Sequence, residues 1–197
     1  MATILIDLRD DEPWEFHMEM TRQLWDEARH AMMGEVGFAS QEIDWTEIPI
    51  NFTWSKNLNT QLNPRERHGV LFFIEQGLMP KAGKRYEWEV ASDSGDPLAK
   101  LFQDFDWADE VLHAQIGRRW YVPRYKSLKE AMDYGDESWS RVLSNWQEYK
   151  DRGLTEHHNW WPELYSKVCL QRGITPDPKV LAFNETYQQK RADLETL

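Results

Sequence analysis

The sequence predicts an all-α protein, a helical bundle followed by a helical extension, and three observations carry that expectation. Long stretches place apolar residues at the 3.6-residue period of a buried helix face. Three of them open on an Asp or Asn just before a Pro: Asp11-Glu12-Pro13, Asn63-Pro64 and Asp96-Pro97. The pattern Asp-Glu-x-x-His occurs twice, at Asp26–His30 and Asp109–His113.

The elements follow in order. An Asx side chain caps free backbone N–H groups, and Pro fits the first turn because its missing N–H would be unpaired there. The first helix spans roughly 13–36, with Met20, Leu24, Glu27, Ala31 and Gly34 along one stripe. Segment 38–62, about twenty-five residues, is the right length to cross a bundle from end to end and join two parallel helices. The second helix, roughly 64–90, aligns Leu71, Glu75, Leu78 and Ala82, and Gly77, Pro80 and Gly83 should kink or break it just after Glu75. The third, roughly 97–121, brings Phe102, Asp106, Glu110, His113 and Gly117 together. These helices form a bundle core over 1–123. Beyond Val122-Pro123 a Trp-rich helical extension, 124–197, is expected to pack on the core as pieces near 127–133, 136–152, 160–172 and 178–194.

Composition narrows the function. With 197 residues, eleven Trp, eight Phe and seven Tyr, the chain can fill one sizeable core. No run of eighteen apolar residues exists, so no membrane span or membrane partner is expected. A net charge of −11 supplies no basic surface for phosphates, which argues against nucleic acid. One cysteine, Cys169, precludes an intramolecular disulfide framework and fits a cytoplasmic location.

The repeated motif carries the chemistry. A Glu three residues before a His sets both side chains on one helix face, about one turn apart. Such a pair is half of a chelate for a first-row transition metal, and two halves on facing helices make a dinuclear site. Chance supplies one such motif in roughly a few per cent of chains this long, and two in well under about one per cent. His17, His68, His157 and His158 lack a third convergent ligand and are read as structural.

The paired motifs, with a lone Glu between them and a long crossover, make the chain resemble the ferritin-like di-iron carboxylate superfamily over residues 1–121. The resemblance implies a ferritin-like helical bundle with two iron ions, or manganese, at its centre. It carries over Glu27 with His30, and Glu110 with His113, as ligand pairs, and Glu75 as the lone carboxylate. Level matching supports Glu75 over Glu66, Glu87 and Glu89: turn 91–95 centres on residue 93, seventeen before Glu110 and eighteen after Glu75. The resemblance also suggests that Asp26 and Asp109 accept the outer N–H of a ligating His. Arg29 balances charge near the site or makes an ordinary surface salt bridge, and Asp106 is either an extra ligand or hydrogen-bonded.

The same matching leaves a gap. Glu27 lies seventeen residues beyond the turn near Asp10, so its level partner falls upstream of Met1, and Ile4-Leu5-Ile6 is at most the tail of that helix. The four-helix core is therefore incomplete, with five of six expected ligands. The sixth comes from an N-terminal helix of a longer chain, from a second subunit in a homodimer, or from nowhere if the site is degenerate. The implied activity is an oxidoreductase, a di-iron oxidase or oxygenase that activates dioxygen against a small-molecule substrate. A metal-free ferritin-like binding or assembly module is the alternative.

Overall fold

The computed structural model describes residues 1–47, 53–77, 79, 84–152 and 161–182, and every regular element among them is helical. In order these are α1 (Ala2–Asp7), α2 (Trp14–Ser40), α3 (Thr53–Gln61), α4 (Pro64–Gly77), α5 (Lys84–Asp93), α6 (Pro97–Trp120), α7 (Leu128–Asp151), α8 (Trp161–Gln171) and α9 (Pro178–Leu181), with 3-10 turns at Trp45–Glu47 and Val122–Arg124. The chain forms two compact units, Met1–Glu47 with Leu58–Trp139, and Ile48–Asn57 with Ser140–Leu197. In the second unit α8 packs on α9, and Asp177 caps α9 by accepting from Lys179 N at 2.8 Å. Residues 183–194 of the expected tail helix, the His157-His158 pair and Trp160 lie outside the described residues.

The first unit is a helical bundle built around α6, which packs against α2, α4 and α5, while α1 packs against α2 and α4. Its caps show why the elements begin where they do. Asn63 Oδ1 accepts from Arg65 N and Glu66 N at the start of α4, and Glu66 Oε2 reaches back to Asn63 N. Asp96 Oδ1 accepts from Leu98 N and Ala99 N ahead of α6. The third expected cap does not form. The N-cap position of α2 is Pro13 itself, which places Asp11 too early to reach the first-turn N–H groups, and no side chain caps that end.

The apolar core sits to one side of the acidic motifs. Ile4, Leu8, Phe16, Met20 and Ile116 pack together from α1, α2 and α6, and Phe72, Tyr121 and Ala131 form an adjoining cluster from α4 to α7. Two expectations change here. The buried face of α2 runs through Phe16, Met20, Gln23 and Asp26, whereas Ala31 and Gly34 are exposed, so the predicted stripe is rotated by about one residue. The rotation turns the polar line of α2 toward α6. Helix α7 also runs unbroken through Gly135, where the sequence suggested a break. That glycine is buried against α4: an added Cβ would meet Gly69 O at 2.5 Å and Phe73 Cβ at 2.9 Å. Close helix contact compensates for its poor helix propensity.

The second helix of the sequence reading divides as expected. Helix α4 ends at Gly77, two residues after Glu75, and α5 begins at Lys84. Leu78, Pro80, Ala82 and Gly83 lie outside the described residues.

His68 belongs to this core rather than to the acidic cluster. It is 2% exposed, its ring lies 5.6 Å from Phe16 and 5.3 Å from Tyr121, and its Nε2 has no hydrogen-bond partner. Burial, with Arg124 and the N-terminal ammonium nearby, pushes its pKa down from 6.5 to about 3. The folded chain therefore keeps the ring neutral while the unfolded chain takes up a proton near 6.5. The stabilisation from His68 is complete above that pH and is lost as pH falls toward about 3. Urea unfolding is expected to show a loss of about 1.4 kcal/mol per pH unit from this group below pH 6.5. His68→Leu should flatten that part of the profile. Gly135→Ala, measured the same way at pH 7, is expected to cost about 1–3 kcal/mol because backbone must move to admit the methyl.

Candidate metal centre

Four helices bring polar side chains into the interior of the first unit: Gln23, Asp26, Glu27, Arg29 and His30 from α2, Glu75 from α4, Lys84 from α5, and Asp106, Asp109, Glu110 and His113 from α6. The α6 set is buried because 106, 110 and 113 fall on one face, the face that meets α2 and α4. Gly117, one turn further, lets Phe72 of α4 lie against the α6 backbone, and draws the two helices together below the cluster.

Each histidine is held from behind by the aspartate of the other motif. His30 Nε2 lies 3.0 Å from Asp109 Oδ2, and His113 Nε2 lies 3.4 Å from Asp26 Oδ2. Arg29 bonds Asp109 and lies 3.2 Å from Asp26 Oδ1, bridging the two aspartates. With Nε2 engaged, both Nδ1 atoms face the carboxylates. His113 Nδ1 is 3.4 Å from Glu27 Oε1, 3.5 Å from Glu110 Oε2 and 3.7 Å from Glu75 Oε1. His30 Nδ1 is 3.5 Å from Glu27 Oε2, 3.4 Å from Asp106 Oδ1 and 3.8 Å from Glu110 Oε1.

Two donor groups result, each with ligand atoms within 4.8 Å of one another: Glu27, Glu75, Glu110 and His113, and beside it His30, Asp106 and Glu110. In the first, His113 Nδ1 and Glu110 Oε2 are buried without a hydrogen-bond partner, although the His113 side chain is fully enclosed. Buried polar atoms are nearly always paired, so two orphaned donor atoms aimed at one point fit a cation between them. Carboxylate oxygen with imidazole nitrogen is also a donor set suited to iron or manganese.

The protonation pattern has the same logic. Burial raises the Glu75 pKa well above the carboxylate range, and its bond to Glu110 adds to that; Glu110, despite burial, is lowered by His113 and by Glu75, so this pair shares one proton. Burial works against charge on His113, but Glu110 and Glu27 push its pKa up to about 10. Burial likewise opposes charge on Glu27, and the imidazoles of His113 and His30 beside it outweigh that, bringing the pKa down to about 2. Protons thus occupy the place of positive charge here, and a bound cation would displace them.

No family model, curated protein or solved structure matches the chain. The reading of the centre therefore rests on its own residues. All nine side chains singled out in the sequence converge: Glu27, His30, Glu75, Glu110 and His113 around the two donor groups, Asp26 and Asp109 behind the histidines, Arg29 between those aspartates, and Asp106 beside His30. The rivals of Glu75 face neither histidine: Glu66 caps α4, Glu89 pairs with Arg85, and Glu87, exposed on α5, meets Lys84.

Two participants were missed. Gln23 donates to Glu75 Oε1 at 3.0 Å and is 1% exposed; its position one turn before Glu27 was the available signal. Lys84 Nζ donates to Asp106 Oδ2 at 2.6 Å. Burial opposes its charge, yet Asp106, Glu87 and Glu110 raise its pKa. Nothing in the sequence marked it, because its approach to Asp106 depends on how α5 packs against α6. Since Asp109 orients His30 and holds Arg29, Asp109→Asn is expected to weaken cobalt(II) binding by roughly 10–100-fold, measured by chelator competition on folded protein.

Proposed function

We propose that this chain is a non-haem metal carboxylate protein of ferritin-like type, binding iron or manganese, and that it works as an oxidoreductase on dioxygen and a small organic substrate. One observation carries the reading: His113 Nδ1 and Glu110 Oε2, both buried and unpartnered, face a common point ringed by Glu27 and Glu75. The bridging disposition of Glu27 and Glu110, each with one oxygen toward either histidine, supports it further. A bound iron or manganese ion would supply one-electron chemistry toward dioxygen.

The chain's own residues prepare the donors. Asp26 and Asp109 hold a proton at Nε2 of His113 and His30, so the nitrogen left to give up its proton to a cation is the inward-facing Nδ1. Gln23 donates to Glu75 Oε1, the oxygen that faces His113 Nδ1, and so fixes the orientation of that carboxyl. Arg29 offsets the charge of both aspartates and ties the two together. A bound cation would take the place of the proton that burial keeps on Glu75, and the same carboxyl would then serve as an anionic ligand.

A second reading, a metal-free ferritin-like module for binding or assembly, has separate support. Helix α2 exposes Trp14, Met18, Trp25, Met32 and Val36, apolar residues at spacings of four and seven that share one outer face. Metal analysis separates the two. Protein from iron- and manganese-replete cells is expected to carry near-stoichiometric metal, and Glu110→Ala and His113→Ala, checked as folded by circular dichroism, are expected to lose it. Metal-free protein under those conditions would leave the module reading, and full occupancy in both variants would reject this site as the place where metal binds.

A further inference from the structure

The position beside His30 already holds a cation. Lys84 Nζ lies 2.6 Å from Asp106 Oδ2, 3.4 Å from Glu87 Oε2 and 3.9 Å from Glu110 Oε1, with 12% of its side chain exposed. That Glu110 oxygen is the one that faces His30 Nδ1. The two imidazoles therefore look onto matching sets of oxygens. His113 Nδ1 faces Glu27 Oε1, Glu110 Oε2 and Glu75 Oε1. His30 Nδ1 faces Glu27 Oε2, Glu110 Oε1 and Asp106 Oδ1. Asp106 stands to His30 as Glu75 stands to His113, and the difference between the two halves is the ammonium group.

We propose that Asp106 is the sixth ligand of the centre, completing a second divalent-cation position with His30, Glu27 and Glu110, and that Lys84 fills that position as an internal counter-cation which a second ion must displace. The proposal rests on reading the cluster as a metal centre. It follows from charge and reach. An ammonium and a divalent ion about 4 Å apart repel strongly in a buried setting, so the two cannot share Asp106 and Glu110. Lys84 is the first residue of α5 and sits on a flexible four-carbon stem, so it can withdraw toward Glu87, whose side chain is 46% exposed. The ligand that the sequence sought from a further helix is then supplied by α6 itself, through Asp106, Glu110 and His113 at one-turn spacing.

The test is cobalt(II) binding to the full chain, stripped of metal and dialysed against the ion, with bound cobalt counted by elemental analysis. The unaltered chain is expected to take one ion tightly and a second at least about tenfold more weakly, whereas Lys84→Gln takes two of similar affinity. The double variant Lys84→Gln/Asp106→Asn is expected to return to one. Equal second-ion binding with and without Lys84, or two ions in the double variant, would overturn the proposal and leave the metal centre standing. No cobalt on any of the three proteins would remove the metal centre, and this proposal with it. Should Lys84→Gln fail to fold, labelling of Lys84 with an amine-reactive reagent serves in the unaltered chain. Labelling should rise as the second ion binds, and unchanged labelling at that point would overturn the displacement.

Discussion

Asp26 of α2 lies behind His113 of α6, and Asp109 of α6 lies behind His30 of α2, so each Asp-Glu-x-x-His segment fixes the imidazole of the other. This reciprocal grip sets the relative level and rotation of the two long helices. A shift of either by one residue would carry its aspartate about 100° around the helix, away from the ring it holds. The rotation of α2 that exposes Ala31 and Gly34 is the same rotation that buries Asp26 and points His30 toward α6. Packing then accommodates the polar contact: Gly117 admits Phe72, and the apolar plug of Ile4, Phe16, Met20 and Ile116 closes the space beside it.

The cost of this arrangement is electrostatic. Glu27, Glu75, Glu110, Asp26, Asp106 and Asp109 are gathered where water is largely excluded, and burying so many carboxylates is costly unless they are paired. Three kinds of positive charge prevent collapse of the cluster into an unpaired anionic pocket. Arg29 bridges the outer aspartates, Lys84 meets Asp106, and protons sit on His113 and on the Glu75–Glu110 pair. The donor atoms of Glu27, Glu75, Glu110 and His113 lie close enough together that one cation could take the place of those protons. It also means that the centre and the stability of the bundle are linked through the same residues.

Much of the site was legible because helical spacing converts directly into shared faces. Glu110 and His113 could be placed together without coordinates, and the turn at 91–95 sufficed to level Glu75 with Glu110. Other features lay beyond that reach. The absence of a cap from Asp11 depends on where the chain enters α2, and the continuity of α7 through Gly135 depends on a contact with Gly69. Lys84 had no pattern to betray it, because its approach to Asp106 is set by how α5 packs against α6.

The sequence by itself determined the helical class, the starts at Asn63 and Asp96, the pairing of each Glu with its His, and the choice of Glu75. All of these are local or nearly local, fixed by a 3.6-residue period, by capping chemistry and by the length of a turn. Only the tertiary structure decided which aspartate serves which histidine, that Asp106 faces His30, and that an ammonium group stands at their side. Those contacts join residues more than twenty positions apart, and their geometry is set by how helices rotate against one another to bury apolar surface, a quantity that no single segment of the chain contains.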